Sequence, residues 1–142
     1  MTKKIPVQFH FLCPCTLPNR SRLKRFIISI FRREKRPLEE LNIIFCTDDY
    51  LLGLNRQFLH HDFYTDILSF PLSGHNQPLR AEIYISVDRV RENARSLGST
   101  INEELHRVIF HGVLHFCGYK DKTSIEINKM RLMEDKYLKA YL

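Results

Sequence analysis

The chain has 142 residues, enough for one ordinary domain, and its 44% hydrophobic content can build a packed core, which excludes a disordered polypeptide. No run approaches the roughly eighteen apolar residues of a membrane helix, and Met1-Thr2-Lys3-Lys4 leads into a strand-like segment rather than a secretion signal, so a soluble, unexported protein is expected. The net charge of +6 is concentrated: residues 1 to 40 carry ten Lys or Arg against three Glu, and the remainder carries twelve against thirteen acids. Such asymmetry suits a polyanionic partner such as nucleic acid, and equally a plain solvated face.

In chain order, Val7 to Leu12 is predicted to be a strand, followed by a loop marked by Pro14, Pro18 and Asn19. The four cysteines (Cys13, Cys15, Cys46 and Cys117) have no disulfide-framework spacing, and one residue between Cys13 and Cys15 is too few for a usual zinc pair. Reduced thiols without a site role are expected. A helix is predicted from about Ser21 to Lys35, with Leu23, Phe26, Ile27, Ile30 and Phe31 on one stripe and Arg22, Lys24, Arg25, Arg32 and Arg33 mainly off it. Leu41 to Cys46 has the apolar, β-branched character of a second strand. Thr47 or Asp48 can cap a helix that turns Leu51, Leu54 and Phe58 inward.

Asp66 to Phe70 is predicted as a third strand, and Pro71 to Arg80 as a long loop. In the fourth strand Ala81, Ile83, Ile85 and Val87 alternate with Glu82, Tyr84 and Ser86, which implies one buried face. Helical spacing then runs through Val87, Val90, Ala94 and Leu97 to a Gly98 cap, and Thr100 with Glu103 opens a further helix. Thr123 with Glu126 opens a last helix, which places Met130, Met133, Tyr137 and Tyr141 along one side, more as core than as cofactor contacts. No repeat, low-complexity segment or long linker divides residues 1–142, so a single domain is expected.

The segment Val108 to Cys117 is apolar nearly all round apart from His111 and His115, which predicts a buried helix with buried imidazoles. Four residues apart, the two rings lie one above the other and can reach a single ion. Gly118 can turn the chain out of the helix, and Asp121 follows, giving H-x-x-x-H-x-x-G-x-x-D. This is the spacing of the extended metzincin zinc motif, with Asp in place of the third His and Gly112 where H-E-x-x-H proteases carry their general base. One zinc per chain is expected on His111, His115 and Asp121, because imidazole ligands disfavour hard oxygen-seeking ions. Three protein ligands leave a position for water, as in catalytic sites. The competing reading is a pair of core histidines satisfied by hydrogen bonds.

HGVLHFCGYKD resembles the H-G-x-L-H-L-x-G-Y-D-H signature of the YbeY endoribonucleases that mature ribosomal RNA. Upstream, LNRQFLHHDFYTDILSFPL is similar to the family's N-x-x-Y-R-x-x-D-x-P-T-D-V-L-S-F-P segment through Asn55, Asp62, Thr65, Asp66, Leu68, Ser69, Phe70 and Pro71. Glu126, Met130 and Glu134 also fit downstream. The resemblance runs from about Asn55 to the C-terminus. It implies an α+β fold: a small mixed four-stranded sheet packed against about five helices, one of them a metzincin-like zinc helix. It also implies cleavage of single-stranded RNA at the 3′ end of small-subunit ribosomal RNA, a part in ribosome quality control, and a cytoplasmic protein that meets the small ribosomal subunit and its assembly factors.

Three departures stand out: Asp121 replaces the usual third His, Leu59 stands at the family's arginine, and Ala81-Glu82-Ile83 replaces Gly-Asp-Ile. The reading is a zinc-dependent RNA hydrolase with His111, His115 and Asp121 on the ion, and with Glu82 and Asp62 as candidates for proton handling. For those two carboxylates an exposed or capping role is the competing account. The functional alternatives are a non-catalytic zinc-stabilised module that binds ribosomal RNA, which the missing arginine at position 59 favours, and a metalloprotease, which Gly112 disfavours.

Overall fold

The computed structural model describes residues 4–142, so the expectation drawn from Met1, Thr2 and Lys3 lies outside the described residues. Four strands and five helices follow one another: β1 (Val7–Phe11), α1 (Arg20–Arg33), β2 (Leu38–Cys46), α2 (Asp48–Leu59), β3 (Ile67–Pro71), β4 (Leu79–Ser86), α3 (Val87–Leu97), α4 (Ile101–Phe116) and α5 (Ser124–Tyr141). The sheet order is β1-β2-β4-β3, with β1, β2 and β4 parallel and β3 antiparallel to β4. This is the mixed four-stranded α+β arrangement that the resemblance implied. The central strand β2 begins three residues before the apolar run, because Leu38 pairs with Leu79 across an irregularity at Leu38 and Glu40.

Alternation along the strands sorts the two faces. Ala81, Ile83 and Ile85 of β4 join Leu41, Ile43 and Phe45 of β2 in the main core, against Leu23, Ile27 and Phe31 of α1, Val90 of α3, and Val108, Ile109 and Val113 of α4. The other face is only partly covered. There α2 lays Leu51 and Leu54 over Leu68, Phe70 and Tyr84. Phe58, expected to point inward, is 56% exposed and only edges against Phe70 at a ring distance of 6.0 Å, because it lies in the last turn of α2, which ends at Leu59.

The helix ends follow the capping chemistry. Thr47 accepts from the Tyr50 amide, Gly98 takes a left-handed φ of 69°, and Thr123 with Glu126 closes both arms of its box. At Thr100 one arm forms, from the Glu103 amide to the Thr100 hydroxyl. At the end of α1 the Glu34 carboxylate accepts from two hydroxyls, Tyr119 at 2.7 Å and Tyr137 at 2.6 Å, clasping α1, the segment after α4, and α5 together.

The α4 helix carries a buried imidazole that the sequence did not single out. His106 is 1% exposed, donates from Nδ1 to the Asn102 carbonyl at 2.6 Å, and stacks on Tyr141 at 5.3 Å. Burial pushes its pKa down, and Arg22 adds to the depression while the Asn102 bond opposes it. The unfolded chain therefore takes up this proton first. Stability contributed by neutral His106 is complete above the unfolded value of about 6.5 and is lost as pH falls below it toward the lower folded value. Denaturant unfolding from pH 7.5 to 5 is expected to show a fall that His106→Phe reduces, by at most about 1.4 kcal/mol per pH unit. Parallel pH curves for wild type and variant would refute the assignment.

Candidate functional site

The last two turns of α4, the loop that follows, and α5 bring the predicted ligands into one region. Gly118, at φ 103°, reverses the chain after α4, and the Tyr119 amide bonds back to the Leu114 carbonyl at 3.1 Å. This reversal returns Asp121 to the helix, where its Oδ2 faces His111 Nε2 at 3.3 Å. On its other side His111 donates from Nδ1 to Glu134 Oε2 at 2.6 Å, so the proton sits on Nδ1 and Nε2 is the free nitrogen. Glu134, from α5, is almost fully buried and also accepts from Arg107 at 3.2 Å; Arg107 in turn reaches Asp135 at 2.8 Å.

His111 is half-buried and His115 exposed, which corrects the expectation that both imidazoles are buried. The helix is apolar on the faces toward the sheet and α5, and His115, beyond Leu114, turns out at its end. Among the described residues no three His, Cys, Asp or Glu side chains converge closely enough to hold an ion as they stand. His111 and Asp121 are together; His115 stands one turn further along. The cysteines have no part in it: none is disulfide-bonded, and burial pushes the Cys46 and Cys117 thiols up to about 12.

His111 and Asp121 open onto a cleft of about 370 Å³ that Asp66, Glu104, Arg107, Arg131 and Glu134 also line. Burial pulls the pKa of His111 down, but the bond to Glu134 and the charges of Glu134, Asp121 and Asp66 outweigh it and leave the ring above its ordinary value. Asp66 is raised chiefly by burial, against the pull of His111. The cleft thus asks for positive charge at His111 Nε2, which a proton or a metal ion can supply.

Neither proton-handling candidate from the sequence lies here. Glu82 alternates with Ala81 and Ile83, so it projects from the sheet face opposite α4, where the Tyr84 hydroxyl donates to it at 3.4 Å beside His10 and Asn42. Asp62 lies on the exposed loop after α2, paired with Arg56. The side chains that the sequence reading passed over are Glu104 and Arg107, and Glu134 was matched by resemblance without a role. Glu104 and Arg107 precede His111 by seven and four residues, so helical spacing alone places all three on one face. Glu134 is twenty-three residues away on another helix, and only packing reveals it.

Comparison with known proteins gives a consistent result. The profile of the family described as "Endoribonuclease YbeY" matches residues 18–142. A Cytophaga hutchinsonii protein named endoribonuclease YbeY is 48% identical over 122 residues, covering 86% of this chain and 85% of the relative. A Flavobacterium johnsoniae protein of the same name is 36% identical over 135 residues, covering 95% and 96%. The solution structure of a Thermotoga maritima protein superposes with a TM-score of 0.58 at 28% identity, over 92% of this chain and 87% of that one.

Proposed function

The chain belongs to the YbeY endoribonuclease family, and from that premise we propose that it hydrolyses single-stranded RNA with a zinc ion held by His111, His115 and Asp121. The observation that carries the proposal is the orientation of His111. Its Nδ1–H is committed to a buried carboxylate, the arrangement that fixes the tautomer and frees the opposite nitrogen for a metal. The donor set fits zinc: His111 Nε2 and Asp121 Oδ2 are 3.3 Å apart, and two tetrahedral ligands with bonds near 2.0–2.1 Å are separated by about 3.3 Å. The exposed ring of His115 is the third donor, one turn along the same face.

A zinc ion held there would supply Lewis acidity for phosphodiester hydrolysis. The chain's own residues do the rest. Glu134 orients His111 and is braced by Arg107, Arg131 brings a guanidinium to the cleft for phosphate, and the basic residues of α1 add a long-range attraction for the strand. Proton handling falls to cleft carboxylates rather than to Glu82 or Asp62. Leu59, 41% exposed at the end of α2, offers no cation where the family signature has arginine, and Arg107 and Arg131 are the guanidinium groups at the cleft.

Ribosomal RNA at the 3′ end of the small-subunit molecule is the proposed natural substrate, with the small subunit and its assembly factors as partners and the cytoplasm as the compartment. Ribosome quality control belongs to the same proposal. No helix among the described residues is long and apolar enough to cross a membrane. A non-catalytic RNA-binding module remains the second reading, favoured by Leu59, and turnover separates the two.

His115 is the cleanest probe, because it is exposed and its loss leaves the core intact. Elemental analysis of untagged, zinc-reconstituted protein is expected to give about one zinc per chain. In His115→Ala zinc should fall below roughly a tenth of an equivalent after dialysis, and cleavage of single-stranded RNA should be lost with folding stability within about 1 kcal/mol of wild type. Full zinc retention by His115→Ala would remove that residue from the site. Zinc-loaded protein that binds RNA and never cuts it would establish the second reading.

A further inference from the structure

Glu104 lines the cleft and has no partner of its own. It is 5% exposed, and no side chain or amide among the described residues bonds to its carboxylate; Arg107, the cation nearest in sequence, is engaged by Glu134 and Asp135. The Glu104 oxygens are not sealed from the cleft, so a donor on a bound molecule can take the place of water there. Burial, the largest influence, raises the pKa of Glu104, with Asp66 and Glu134 adding to the rise and Arg107 and Arg131 opposing it.

The missing partner must be a hydrogen-bond donor, since a carboxylate repels phosphate. Glu104 and His111 are two turns apart on one face of α4, about 10 Å along the helix axis. With a phosphate at the His111 end, a nucleotide lying along the cleft puts its sugar toward Glu104. The donor that every RNA residue carries next to its phosphate, and DNA lacks, is the ribose 2′-hydroxyl.

We infer that Glu104 accepts a hydrogen bond from the 2′-hydroxyl of a nucleotide adjoining the scissile phosphate, and so makes the cleft select ribose over deoxyribose. The inference rests on the RNA-cleaving reading of the same cleft. It assigns Glu104 a specificity role separate from holding the metal.

The test uses one short single-stranded oligonucleotide in all-ribose form and in versions with a single 2′-deoxy residue at each position. Wild type, Glu104→Gln and Glu104→Leu are compared by kcat/KM and by equilibrium binding in the presence of a chelator. Wild type is expected to lose about tenfold or more at one position beside the cleaved bond, the scale of a hydrogen bond to a charged group. Glu104→Leu should lose about as much on all-ribose RNA and be indifferent to the deoxy substitution. Glu104→Gln, whose amide oxygen still accepts, should keep part of the discrimination. Thermal unfolding should show Glu104→Leu about as stable as wild type, since the Glu104 carboxylate holds no side-chain partner among the described residues. Equal discrimination in wild type and Glu104→Leu, or a wild type indifferent to every single deoxy substitution, overturns the assignment. Absence of turnover on any RNA would instead defeat the hydrolase reading, and the binding arm would still decide on Glu104.

Discussion

Replacing Glu134 by Gln is expected to weaken zinc binding by about 10–100-fold, although Glu134 itself is not a ligand. Its carboxylate accepts from His111 at 2.6 Å and from Arg107 at 3.2 Å while almost fully buried, so it fixes the ring of His111 and supplies the negative charge behind it. An amide of the same shape can still accept the Nδ1 proton but brings no charge. Arg107 keeps Asp135, so the fold has a way to tolerate the change. Competition against a chromogenic chelator reads the affinity, and RNA binding in chelator reads whether the cleft survives. Unchanged zinc affinity in Glu134→Gln would mean that His111 does not depend on Glu134 to present its free nitrogen.

Gly112→Glu would complete the H-E-x-x-H pattern of a zinc protease, yet it is expected to destabilise the protein by about 3–5 kcal/mol and to yield no peptidase. A Cβ at this position would lie 2.8 Å from Ile67 Cδ1 and 3.0 Å from Ile83 Cδ1, so the glycine is where α4 sits down on the sheet. A single methyl could be absorbed by small shifts of those isoleucine ends. A carboxylate could not, because it would enter the apolar layer between helix and strands with nothing to pair with. Denaturant unfolding measures the loss, and casein hydrolysis tests the activity. Wild-type stability in Gly112→Glu would show that α4 is not seated as described.

Much of this was legible from residues close together in the chain. Gly98, the Thr123–Glu126 box and the apolar stripe of α1 are local patterns governed by backbone geometry, and each lies where its pattern placed it. His111 and Asp121 could be paired because a ten-residue spacing with Gly118 between them encodes one turn of the path. What required three dimensions was the identity of faces. Alternation in β4 shows that Glu82 and Ile83 point opposite ways, but not that α4 covers the side of Ile83. A candidate carboxylate therefore lies on the sheet face opposite His111. The same gap explains His115, whose apolar neighbours in sequence suggest burial while the end of α4 leaves it in solvent. Glu134 and Asp66 meet His111 only through packing of α5 and β3 against α4, a relation with no sequence period to announce it.

The double clasp of Glu34 bears on how quickly the proposed site would exchange a metal ion. Tyr119 lies two residues before Asp121, and its hydroxyl is tied to the end of α1 through the same carboxylate that holds Tyr137. The ligand-bearing loop is therefore tethered at a point that is not itself in the site. Were Asp121 to release a bound ion, the tether would keep its carboxylate nearby and favour rebinding. At the proposed zinc site, full escape of the ion would be favoured by a local opening that breaks the clasp, so loosening Glu34 would shorten the ion's residence without touching any ligand.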